Sequence, residues 1–94
     1  MNHNEVGVIF ELRKQFERLE DSSQDKEDIC SYVVAALSFY CQESAKDQKY
    51  KELYFNLLEV FKLDDISKSR EAVEEFLIKE EAYVILQGLQ LIEK

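Results

Sequence analysis

The segment Ile29–Cys41, read ICSYVVAALSFYC, leaves a chain of this size few ways to fold. Eleven of its thirteen residues are apolar or aromatic, and only Ser31 and Ser38 interrupt them. A helix that is apolar on every side is ordinarily covered on every side, so the neighbouring segments have to wrap it. Thirteen residues fall short of the roughly 20 that carry a helix across a bilayer. The segment is therefore expected to be the core of a central helix, about 24–44, in a small soluble bundle, buried by the rest of the chain.

The remaining segments supply that cover. The chain has no proline, only Gly7 and Gly88, and many Glu, Leu, Lys, Gln and Ala residues, which favours helix almost everywhere. Asn2-His3-Asn4-Glu5 has the spacing of a capping box. Val6, Ile9, Leu12, Phe16 and Leu19 then follow at helical intervals as one apolar stripe. Asp21-Ser22-Ser23-Gln24 reads as a loop, with Ser22 or Ser23 capping the second helix. Asp25, Glu27 and Asp28 fall in that helix's first turn, where carboxylates meet the positive end of its dipole.

A turn is expected near Ser44–Lys49, capped by Ser44 or Asp47, in preference to one unbroken helix running on to Leu63. Tyr50, Leu53, Tyr54, Leu57, Leu58 and Phe61 carry the strongest one-sided pattern and predict a third helix. The connector Leu63–Ser69 offers Ser67 or Ser69 as the next cap. Beyond it the apolar stripe changes phase across Lys79-Glu80-Glu81, passing to Ile78, Ala82, Ile85, Leu89 and Ile92. The last helix is thus bent or broken, and YVILQGLQLI has an edge strand as its alternative. The expected fold is all-α: one domain over 1–94, a small antiparallel four-helix bundle, or five helices if the last is broken, in up-down order.

Little in the chain suits catalysis. His3 is the sole histidine and lies at the terminus, a poor platform for activating a nucleophile. Zinc sites need clustered Cys and His, and carboxylate di-iron bundles need Glu-x-x-His pairs; neither pattern occurs. Two isolated glycines make no phosphate loop. No enzyme activity, cofactor or metal is expected. Cys30 and Cys41, eleven residues apart, stand about 16 Å apart on one helix, beyond the roughly 7 Å that a disulfide spans. Free buried thiols, and an N-terminus without the pattern of a signal peptide, point to the cytoplasm.

Surface charge remains. Twelve basic residues against twenty acidic ones give 12 − 20 = −8, which opposes nucleic acid and anionic membrane and attracts a basic protein partner. Two acidic groups stand out: Glu20, Asp21, Asp25, Glu27 and Asp28, and then Glu71, Glu74, Glu75, Glu80 and Glu81. Asp64 and Asp65 would extend the second if their connector folds back on it. Tyr50 and Tyr54, one turn apart, are either core or, if a hydroxyl faces out, interface anchors. The residues expected to meet a partner are Asp25, Glu27, Asp28, Tyr50, Tyr54, Glu71, Glu74 and Glu75.

In size, acidity, helical bias and tyrosine content the chain resembles the small immunity proteins that bacteria make against their own bacteriocins and nuclease toxins. It carries no motif of the colicin-nuclease, colicin-D or pediocin-type immunity families, so no residue takes a role from that resemblance. What the resemblance implies is a non-enzymatic inhibitor that occludes a basic toxin with an acidic helical face. The other expectation is a chaperone or adaptor that holds a partner's amphipathic helix in an apolar groove, as a monomer or a homodimer.

Overall fold

Five helices follow one another in the computed structural model: α1 (His3–Leu19), α2 (Lys26–Tyr40), α3 (Gln48–Phe61), α4 (Ile66–Lys79) and α5 (Tyr83–Ile92). The structure describes the backbone of residues 2–92 and the side chains of residues 2–90; the stripe position Ile92 lies outside the described side chains. No strand occurs among the described residues, and 83–92 is helical. The break foreseen at Lys79-Glu80-Glu81 separates α4 from α5.

Carboxylates and one amide start these helices. The α1 capping box is complete: Glu5 N–H donates to Asn2 Oδ1 at 2.8 Å, and Asn2 N–H donates to Glu5 Oε1 at 2.9 Å. The α2 cap is Asp25, whose Oδ1 accepts from Glu27 N–H at 2.9 Å, and not Ser22 or Ser23. Ser23 is engaged upstream, its N–H and Oγ–H both donating to Asp21 Oδ1. Asp65 caps α4 by accepting from Lys68 N–H at 3.1 Å, so neither Ser67 nor Ser69 does. In both cases an ionised acceptor at the positive end of the dipole outcompetes a hydroxyl. Asp47 precedes α3 without a side-chain cap bond.

The helices stop without glycine. Gln42, Asp64 and Glu81 adopt positive φ of 57°, 55° and 58° just past the ends of α2, α3 and α4. After α2, Glu43 N–H reaches Ser38 O and Gln42 N–H reaches Phe39 O; after α4, Ala82 N–H reaches Leu77 O and Glu81 N–H reaches Ile78 O. These are two Schellman closures, and the first halts α2 at Tyr40, well before residue 44.

Consecutive helices pack on one another, and α5 folds back onto α1, closing a ring only 19 Å thick in its short dimension, about two helix diameters. The two helices meet closely at Gly88, where an added Cβ would overlap Ile9 Cδ1. The core joins Leu12, Ile29, Val33, Leu37, Leu57, Phe61, Val73, Leu77, Ile85 and Leu89. α1 packs on α2, α4 and α5, and α4 on α1, α3 and α5.

α2 is not wrapped all round. Ile29, Cys30, Val33 and Leu37 are fully buried, while Tyr32 is 48% and Phe39 61% exposed and Ala35 is open to solvent. The helix is flanked by α1 and α3, and two flanking helices in so thin a ring cover one face and leave the opposite one bare.

Candidate functional site

The uncovered side of α2 is an apolar ridge. Tyr32, Ala35, Ala36 and Phe39 stand at i, i+3, i+4 and i+7, which puts them on one face of the helix. A trough runs along each flank. The trough towards α1, about 330 Å³, is lined by His3, Asn4, Gly7, Val8 and Glu11 together with the ridge residues. The trough towards α3, about 450 Å³, is lined by Ser31, Val34, Ala45, Tyr50, Lys51, Tyr54 and Phe55, with Ala35 shared between the two. Phe55 is 64% exposed and meets Tyr54 edge-on, ring centroids 5.3 Å apart. Phe10, on the outer side of α1, is 66% exposed, with the Arg13 guanidinium 5.8 Å from its ring. Tyr32, Phe39 and Phe55, large rings exposed around these two troughs, are the usual mark of a surface that meets another molecule.

Polar networks hold the ends of the helices. Arg18 donates to Gln24 Oε1 at 3.1 Å, to buried Gln15 Oε1 at 2.9 Å and to Asp28 Oδ2 at 2.9 Å, tying the end of α1 to the start of α2. Lys26 Nζ lies 3.0 Å from Asp64 Oδ1, a charge contact outside hydrogen-bond angles that joins α2 to the α3–α4 connector. Arg70 donates to Leu89 O at 2.7 Å and lies over the Phe16 ring, fastening α4 to α5 and α1.

At the other end Lys49 Nζ bridges Glu43 Oε1 at 3.0 Å and Glu80 Oε1 at 2.6 Å. Tyr50 donates its hydroxyl to the same Glu43 oxygen at 2.6 Å. The Tyr50 hydroxyl and the Lys49 ammonium hold the Glu43 carboxyl below its ordinary range. Glu80 holds the Lys49 ammonium above its own, against a smaller opposing effect of desolvation, and Glu43 adds to the rise. Burial, then Glu43, pushes the Tyr50 phenol up. Cys41, Glu43 and Glu80 bring one donor atom each within 4.8 Å of one another, a spacing a metal ion could use. The Lys49 ammonium already stands between the two carboxylates and offsets one of their two charges.

The residues expected to meet a partner are spread among these settings. Asp25 is the α2 cap, Asp28 pairs with Arg18, and Glu74 is half-buried 3.6 Å from Arg70. Glu27, Glu71 and Glu75 are exposed. Tyr50 is fully buried, with its hydroxyl turned to Glu43 and not outward; Tyr54 is half-buried in the α2–α3 trough. Asp64 joins the first acidic group through Lys26 and Asp65 serves as a cap. Glu27 sits on α2, and Glu71 and Glu75 on α4.

The chain matches no protein-family model, no curated protein and no solved structure. Its site is therefore read from geometry alone. Tyr32, Ala35, Phe39 and Phe55 are the residues that pattern reading did not single out. Inside a stretch apolar on all sides, periodicity does not say which face is left open, though the i, i+3, i+7 placement of Tyr32, Ala35 and Phe39 is visible in the sequence. Cys30 is buried, its Sγ donating to Tyr54 O at 3.1 Å, and burial pushes its thiol up to about 12.

Proposed function

We propose that this protein is a non-enzymatic binding module that takes up an amphipathic helix of a partner protein on the open face of α2. The observation that carries this reading is the exposure of Tyr32, Phe39 and Phe55 around two apolar troughs. An amphipathic helix meets such a groove with anchors at i, i+3, i+4 and i+7. The net charge of −8 favours a basic partner and speeds its approach.

Action by binding, and not by catalysis, is supported by how the reactive groups are engaged. Glu43 and Glu80 are both engaged by Lys49, and a thiol held at about 12, as in Cys30, stays protonated and unreactive near neutral pH. We place this work in the cytoplasm, a proposal supported by two free cysteines.

A second reading, inhibition of a basic toxin or enzyme through the acidic surface, is favoured by exposed Glu27, Glu71 and Glu75. One titration separates the two. The probe is an amphipathic Leu–Lys peptide of about five helical turns, added to the native protein, a Phe39→Ser/Phe55→Ser variant and a Glu71→Lys/Glu75→Lys variant. Helix uptake on the α2 face predicts a loss of tenfold or more in the aromatic variant and a small change in the acidic one. The reverse order of losses supports surface inhibition, and no binding to the native protein overturns the helix-uptake reading.

A further inference from the structure

We infer that the seat for the partner helix is the trough between α1 and α2, and that its occupant carries lysine or arginine beside its apolar stripe. This rests on the helix-binding reading above and adds to it a location and a charge.

The two troughs differ in sign. The α1–α2 trough holds Glu11, and the depression that continues it past Phe39 towards the start of α1 holds Glu5. No lysine or arginine lines either. The α2–α3 trough holds Lys51 and no carboxylate. Arg18 does come within 5.9 Å of the Tyr32 ring, but its charge is met by Asp28 at 2.9 Å. A cationic helix is attracted by the first trough and opposed by the second.

Gly7 supplies the steric part. It lies inside α1, where glycine weakens a helix, and a Cβ added there would meet nothing within 4 Å. Nothing in the folded chain requires it, in contrast to Gly88, which Ile9 requires. Gly7 and the small side chains of Ala35 and Ala36 line the same trough and lower its floor between two aromatic rings. Those rings, Tyr32 and Phe39, stand two turns apart on α2, roughly 10 Å, the spacing of i and i+7 anchors on a helix lying along the trough. A helix backbone can come close over a glycine where a methyl group would hold it off.

The test uses the native chain and the Leu–Lys peptide, with a Leu–Glu peptide of the same pattern as its counterpart. Gly7→Ala is expected to raise the thermal midpoint of the free protein and yet to weaken Leu–Lys binding tenfold or more. Glu11→Gln should weaken binding several-fold and flatten its dependence on salt, and Lys51→Gln, in the other trough, should leave it unchanged. Native-like binding by Gly7→Ala, equal affinity for the Leu–Glu peptide, or a several-fold gain in Lys51→Gln each overturns the assignment to the α1–α2 trough. In those cases helix uptake itself stands as long as Phe39→Ser/Phe55→Ser binds weakly, so the two claims fail separately.

Discussion

Tyr50 donates a hydrogen bond from its hydroxyl to Glu43 across 2.6 Å while its own ring lies fully buried, tilted against Phe76 with ring centroids 5.9 Å apart. One side chain thereby serves the core and also secures the connector between α2 and α3. Removing only the hydroxyl separates the two roles. Tyr50→Phe keeps the packing and should cost about 1 kcal/mol, the usual worth of one such bond. Urea unfolding checks this, with an unchanged slope as the sign that the fold is intact.

The Glu43 carboxyl also sets an acid limit. Its folded-state pKa is lowered from 4.5, first by the Tyr50 hydroxyl and then by Lys49, so the unfolded chain takes up this proton more readily than the folded one. The stability it contributes is present above pH 4.5 and is lost as pH falls below that value through the folded pKa. Glu43→Gln is expected to flatten this part of the acid unfolding curve, and thermal melts between pH 5 and pH 3, about the carboxylate range, would record it.

Gln42 and Glu81 occupy left-handed backbone at φ 57° and 58°, a region that glycine enters without the penalty other residues carry. Gln42→Gly and Glu81→Gly should each stabilise the protein by about 0.5–1 kcal/mol, and since Glu43 and Glu80 beside them share Lys49, the double variant also reads their coupling. The denaturation midpoints of both single variants and the double variant test this directly.

Gly88 is the opposite case. Gly88→Ala adds a helix-favouring residue but drives a methyl group into Ile9. Overpacking of this kind costs about 1–3 kcal/mol, and Ile9→Val in the same chain should recover part of it by withdrawing the Cδ1 atom. A double-mutant cycle with a favourable coupling is the expected result.

Much of the architecture is written locally. The Asn2–Glu5 capping box needs only residues three apart, and the stripe of α3 needs only its own period. The change of phase across Lys79-Glu80-Glu81 announces the α4–α5 break because a helical stripe cannot change face without a bend. Cap choice was less legible: Asp25 and Asp65 stand close to serines that could serve equally by pattern. The preference for a charged acceptor emerges only once Ser23 is seen bound to Asp21.

The acidic residues carried still less information in one dimension. Asp28 and Glu74 meet arginines, Glu43 and Glu80 share a lysine, and Glu27, Glu71 and Glu75 face solvent. Which fate each met depends on which helix ends the fold brought together.

The Ile29–Cys41 stretch shows where the division falls. By itself the sequence determined that these residues form a helix too short to span a bilayer, that Cys30 and Cys41 stay unpaired, and that the helix packs into a bundle. Only the tertiary structure decided that Ile29, Val33 and Leu37 face inward while Tyr32, Ala35 and Phe39 face out. A helix apolar on all sides has no preferred direction of its own. Its inner and outer faces are assigned by where α1 and α3 come to rest against it, and those positions follow from the whole chain.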